Sequence, residues 1–208
     1  MKKSTPLVLV FIFCFFATPK AAYADSPLTA IDFSKAYTHE PMVQEALVSN
    51  GVLTPSLLAF ITDDFKPIGV KLACIRALGF EVAGKNNYSL LLSYLSEKNN
   101  YHIGDPLLYE LSADNILCMA YVKGLDQCFE VTEALYLARL ARAKSPNSYA
   151  IHLVTAMIEA QQFQKPDWCM VNRVSDTVRN YPGLRHNLNP SAIKMVFDYL
   201  DSYKEYCD

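Results

Sequence analysis

With 208 residues, 19 Lys plus Arg and 21 Asp plus Glu, the chain carries a formal net charge of −2 and has no basic surplus to meet nucleic-acid phosphates. Like charges nowhere gather into a block, so no tail for a membrane surface is evident. The length fits one domain able to bury roughly 70% of the unfolded chain's surface.

The amino terminus reads as an export signal. Lys2 and Lys3 precede the uncharged apolar run Leu7 to Ala17, which matches a signal-peptide core and is too short to span a bilayer. Pro19 ends the run, and Ala22-Tyr23-Ala24 places small residues three and one positions before Asp25. Cleavage is therefore expected after Ala24, leaving residues 25–208 as a single helical domain in the bacterial periplasm or outside the cell, without a stable membrane anchor. Loss of residues 1–24 removes Lys2, Lys3 and Lys20 but no acid, which moves the net charge from −2 to −5. It also removes Cys14 and Tyr23, so five of six cysteines and twelve of thirteen tyrosines remain. Asn87-Tyr88-Ser89 is a glycosylation sequon that would matter only in a eukaryotic secretory route.

Along the remaining chain, prolines recur after a capping residue and before an apolar-periodic run. Thr54-Pro55, Asp105-Pro106 and Asn189-Pro190 read as N-cap followed by the first helical residue, and Glu40-Pro41, Lys66-Pro67 and Lys165-Pro166 as starts with poorer caps. Gly51, Gly79, Gly84 and Gly124 fall where helices should stop. The marks predict about nine helices, near 41–49, 55–64, 67–80, 87–97, 106–122, 127–144, 148–163, 166–180 and 190–206, and no strands. The 67–80 helix is apolar nearly all round and is expected at the centre. The last helix shows one apolar face through Ile193, Val196, Phe197, Leu200, Tyr203 and Cys207.

The fold class is accordingly all-α, an irregular bundle or stacked helical hairpins. Pro67 to Gly79 resembles the second helix of a HEAT-type repeat, and Glu133 to Pro146, alanine-rich and closed by proline, resembles that of a tetratricopeptide repeat. Together these matches cover fewer than thirty residues and fit no single period. In either case Ala134, Ala138 and Ala141 should line a tight helix crossing.

In an oxidising compartment the remaining cysteines at 74, 118, 128, 169 and 207 should form bridges with a thiol left over. A turn at Gly124 would bring Cys118 and Cys128 together across a hairpin. Cys169 lies opposite the Val171, Val174, Val178 stripe of its helix and is expected to pair with Cys207 at the chain's end. Cys74 follows the Val70, Leu78 stripe and reads as an ordinary buried thiol.

Chemistry is sparse. No CxxC or Cys/His spacing suits a metal, and no glycine-rich loop or other motif calls for a cofactor. None of His39, His102, His152 and His186 belongs to a motif with a mechanism; His39-Glu40 lacks the rest of the metalloprotease pattern. His152, near Glu159, is expected at a solvated surface, and Asp63-Asp64 at the solvated end of a helix. The catalytic candidates are Glu110 and Asp114, one turn apart on the 106–122 helix, with Tyr121 beyond them on the border of its apolar face. Tyr88, Tyr94, Tyr101 and Tyr109 suit either a protein interface or the wet edge of a core. The polar stretch Ser96 to Asp105 is the expected exposed loop.

Signal, small size, acidity and the lack of a catalytic constellation point to a non-catalytic module that binds another protein of the cell envelope. One concrete form is an immunity or inhibitor protein against an envelope-acting toxin or enzyme. The alternatives are a cell-envelope hydrolase using Glu110 and Asp114, or an accessory component of a secretion or surface assembly.

Overall fold

The structure, a computed structural model, describes residues 26–81, 83–100, 107–163 and 167–207. Residues 1–25, which hold the expected signal and its cleavage site, lie outside the described residues, as do Tyr101, His102, Asp105-Pro106 and Lys165-Pro166. The described residues form ten α-helices and two 3-10 turns with no strand, so the chain is all-α as its periodicity requires.

After a strap that turns at residues 27–30 and a 3-10 turn at Phe33–Tyr37 come α1 (Pro41–Val48), α2 (Pro55–Ile61), α3 (Ile68–Ala77) and α4 (Asn87–Lys98). A one-turn α5 (Leu107–Glu110) leads to α6 (Ala113–Asp126), α7 (Thr132–Lys144), α8 (Tyr149–Gln162), α9 (Trp168–Arg179) and α10 (Pro190–Asp201). A 3-10 turn at Lys204–Cys207 follows. Helices α6, α7, α8 and α9 pack in succession, each against the next, while α10 returns to cover the 3-10 turn near the amino terminus.

Local signals explain the starts. The Thr54 side chain accepts from the Leu57 N–H and the Asn189 side chain from the Ser191 N–H, each with proline at the first helical position. In α3, every residue from Ile68 to Arg76 is buried, which makes it the central helix. It packs on α1, α2, α6 and the first 3-10 turn. Ala134, Ala138 and Ala141 are fully buried, where small side chains let α7 approach α6 and α8 closely.

Several boundaries differ from expectation: α7 starts at Thr132 rather than near 127, and α10 ends at Asp201 rather than near 206. The 106–122 run is broken at Ser112, whose extended backbone (φ −63°, ψ 156°) takes it out of the helix so that its hydroxyl can cap the Asn115 N–H at 3.3 Å. Serine competes for backbone partners in this way and favours caps over helix interiors. Gly124, expected as a stop, lies inside α6. A Cβ there would come within 3.0 Å of Leu28 Cδ2 and 3.6 Å of the Ala134 Cβ, so its role is close packing against the strap and α7.

The strap, residues Ser26 to Asp32, is built into the core. Gln161 accepts from the Ser26 hydroxyl and, at 3.4 Å, from the Leu28 N–H. Arg76 donates to the carbonyls of Ile31 (2.6 Å) and Thr29 (2.7 Å). Leu28 is fully buried, and the Tyr37 hydroxyl accepts from the Asn189 N–H at 2.7 Å, tying the first 3-10 turn to the start of α10.

Candidate functional site

The carboxylate pair does not share a helix. Glu110 closes α5 at the surface, whereas Asp114 lies in the first turn of α6 beyond the break at Ser112, half-buried. Tyr121 is wholly inside the core, stacked on Phe33 with ring centroids 6.0 Å apart, and burial pushes its hydroxyl pKa upward. The one-turn register that made these three groups a candidate is therefore not formed.

What does gather around Asp114 is a polar cluster between α3, α6 and the loop after α2. Asp64, exposed as expected but beyond the end of α2 at Ile61, accepts from the Ser112 hydroxyl at 2.6 Å and from Asn115 Nδ2 at 3.0 Å. Lys71 is 0% exposed, and neither its Nζ nor Asn115 Oδ1 has a hydrogen-bond partner among the described residues. Burial raises the Asp114 pKa; the charges of Lys71 and Arg185 oppose the rise and Asp64 adds to it. With Lys71 sealed from solvent, no substrate reaches its amine along the described surface.

The cysteines divide cleanly. Cys169 at the start of α9 and Cys207 in the last 3-10 turn stand at disulfide distance, with Cα atoms 4.7 Å apart. Trp168 stacks on Tyr203 beside them, centroids 5.1 Å apart. The expected Cys118–Cys128 bridge is corrected: both thiols are free and buried. Because α6 runs on through Gly124 to Asp126, Cys118 is separated from the end of its own helix by eight residues, about 12 Å of rise. Burial pushes the Cys74 and Cys118 thiols up to about 12 and also raises Cys128, which leaves all three poor nucleophiles near neutrality. Among the described residues no group of three or more His, Cys, Asp or Glu is placed to hold a metal ion.

An open groove is formed instead by α7, α8 and α9. Arg139 and Arg142, three residues apart on α7, form one wall, and Thr177 of α9 and Tyr181 just beyond it form the other. His152 of α8 contributes to the floor, and the enclosed space is about 470 Å³. His152 is 6% exposed, contrary to the solvated position expected for it. One side of its ring meets Tyr181, centroids 4.6 Å apart, and its Nε2 lies 2.8 Å from the Pro146 carbonyl. That contact puts the proton on Nε2 in the neutral ring. Burial lowers the His152 pKa, the Pro146 carbonyl counters this, and Arg142 adds to the lowering.

Glu159, two turns after His152 on α8, does not engage it but receives Arg139 Nη2 at 2.9 Å. Arg142 forms no ion pair or hydrogen bond among the described residues. The amino end of α8 is already satisfied: Tyr149 N donates to the Arg185 carbonyl, Ala150 N to Asn187 Oδ1 and Ile151 N to the Ser148 hydroxyl. Side chains, not free helix N–H groups, thus define the chemistry of the groove. Sequence reasoning missed it because its parts come from three helices; the Arg139, Arg142 pair at helical spacing was the one local signal. Of the tyrosines, Tyr109 is well exposed, Tyr88 and Tyr94 lie partly buried against the core, and Tyr121 is inside it.

No protein-family model matches the chain, and comparison with curated proteins and with solved structures finds no significant similarity.

Proposed function

We propose that the chain is an exported, non-catalytic helical module that binds another protein of the cell envelope, with the groove between α7 and α9 as its contact face. One observation carries this reading: the groove is open and walled by arginines and a tyrosine, side chains that favour protein contacts, while Thr177 donates to the Val174 carbonyl and His152 Nε2 meets the Pro146 carbonyl. The dispersal of Glu110 and Asp114 weighs against paired-carboxylate hydrolysis. Export rests on the sequence of residues 1–24 and suits the Cys169, Cys207 pair, since disulfides persist in oxidising compartments. An immunity or inhibitor protein is the concrete form, in which the groove seats on an envelope-acting toxin or enzyme.

The test is site-directed photocrosslinking in the producing cell. A benzophenone amino acid at Thr177, exposed on the groove wall, should give a light-dependent adduct with one protein species. The same probe at Gln44, exposed on α1, should not. Absence of any adduct from Thr177 in folded protein overturns the reading.

A further inference from the structure

Building on the protein-binding reading, we infer that the groove receives an acidic segment of the partner, whose carboxylates pair with Arg142 and Arg139 and whose neighbouring apolar side chain lies against Tyr181. The arrangement of charge carries this. The chain as a whole is acidic, yet its open groove presents two guanidiniums on one wall, and Arg173 stands exposed on α9 one turn before Thr177. Two acids lie nearby. Glu159 is engaged by Arg139, and Asp176 is exposed on α9 next to Thr177. Among the described residues Arg142 is left without an anion.

The Arg139–Glu159 contact shows the mode of recognition in miniature, a guanidinium N–H donating to a carboxylate oxygen at 2.9 Å. Arginine suits this task because its planar fork can hold both carboxylate oxygens. Tyr181 is 44% exposed and braced from behind by the buried His152 ring, so its outer face is a fixed apolar surface beside the charges. Since the N–H groups at the start of α8 are all engaged, an isolated anion would find no backbone cradle. A chain bearing carboxylates at side-chain reach fits better than a compact phosphate.

The probe is a fluorescein-labelled (Glu-Tyr)4 octapeptide, read by fluorescence anisotropy against the protein lacking residues 1–24, with (Lys-Tyr)4 as control. The acidic peptide should bind at about 20 mM salt and weaken toward about 150 mM, as screening shortens the reach of surface charge. Arg142→Glu should weaken it by at least about tenfold, and Glu159→Gln, which releases Arg139, should tighten it about threefold. Lys35→Glu makes the same change in net charge elsewhere and should leave the affinity within about twofold. Failure of the octapeptide to bind, equal loss from Lys35→Glu, weakening by Glu159→Gln, or preference for phosphatidylglycerol vesicles or (Lys-Tyr)4 each overturns the inference. The Thr177 crosslink separates the two levels. An adduct that excess octapeptide does not suppress removes the acidic-segment inference alone, whereas no adduct removes the protein-binding reading beneath it.

Discussion

Replacing Lys71 by methionine should make the protein more stable. Lys71 sits within α3 with 0% exposure, and its Nζ meets no hydrogen-bond partner among the described residues. A charged group held in that state costs several kcal/mol of lost hydration, only partly returned by attraction to Asp114. Methionine keeps the unbranched shape and fills nearly the same space, so little packing is lost. Swaps of buried charge for apolar side chains of like volume gain about 1–4 kcal/mol where they gain at all. In a domain of this size each kcal/mol moves the midpoint by about 2–4 °C, so Lys71→Met should raise Tm by roughly 2–16 °C. Urea unfolding supplies the free energy and calorimetry the midpoint. A second reading comes from Asp114, whose pKa Lys71 holds down; it should move further up in the variant when followed by NMR. A variant less stable than wild type by about 1 kcal/mol or more, or an unmoved Asp114, would refute the picture of Lys71 as an uncompensated buried amine.

Two further outcomes are expected. Cys207→Ser opens a link between residues 38 apart, for which loop-closure entropy gives about 4 kcal/mol; an unfolding midpoint that neither this variant nor reductant lowers would show that the pair contributes no stability. His152 has its pKa lowered by burial, so its neutral form supports the fold: its contribution is fully present above the unfolded value near 6.5 and is lost as pH falls toward the folded one. Asp126, pushed up to about 6 by burial, acts in the opposite sense, its protonated form being favoured so that stability falls as pH rises toward 6. The His152 effect is therefore read as a difference: stability should fall more steeply below about pH 6.5 in wild type than in His152→Asn, and parallel profiles would count against it.

Helix starts governed by contacts within one turn were legible in the sequence. Thr54-Pro55 and Asn189-Pro190 carry their own cap and their own φ, and α3 announces its central place by being apolar all round. The Cys169, Cys207 pairing was legible for a similar reason, since a cysteine opposite the valine stripe of α9 must look outward from that packing face. Where the deciding partner lies far along the chain, local reasoning failed. Gly124 looked like a stop because nothing nearby announces that Leu28 will press on it, and the same misreading produced the Cys118–Cys128 expectation. Ser112 broke a run whose apolar period continued through it. His152 was assigned to the correct helix and the wrong environment, because a helical wheel cannot show that Tyr181 and Pro146 will cover it. The groove depends on three helices at once, and its residues carry no motif.

The strap has a kinetic consequence. Ser26 finds its partner 135 positions later at Gln161, and Tyr37 finds Asn189 at a separation of 152. Residues synthesised early thus complete the core with residues made much later. Until α8 exists, the Leu28 N–H lacks Gln161 and the space beside Gly124 lacks Ile158. Loop closure over such distances belongs to the slow end of folding, after helices such as α6 and α7 have paired locally. A chain ordered in this way closes its core only after α10 has joined the first 3-10 turn.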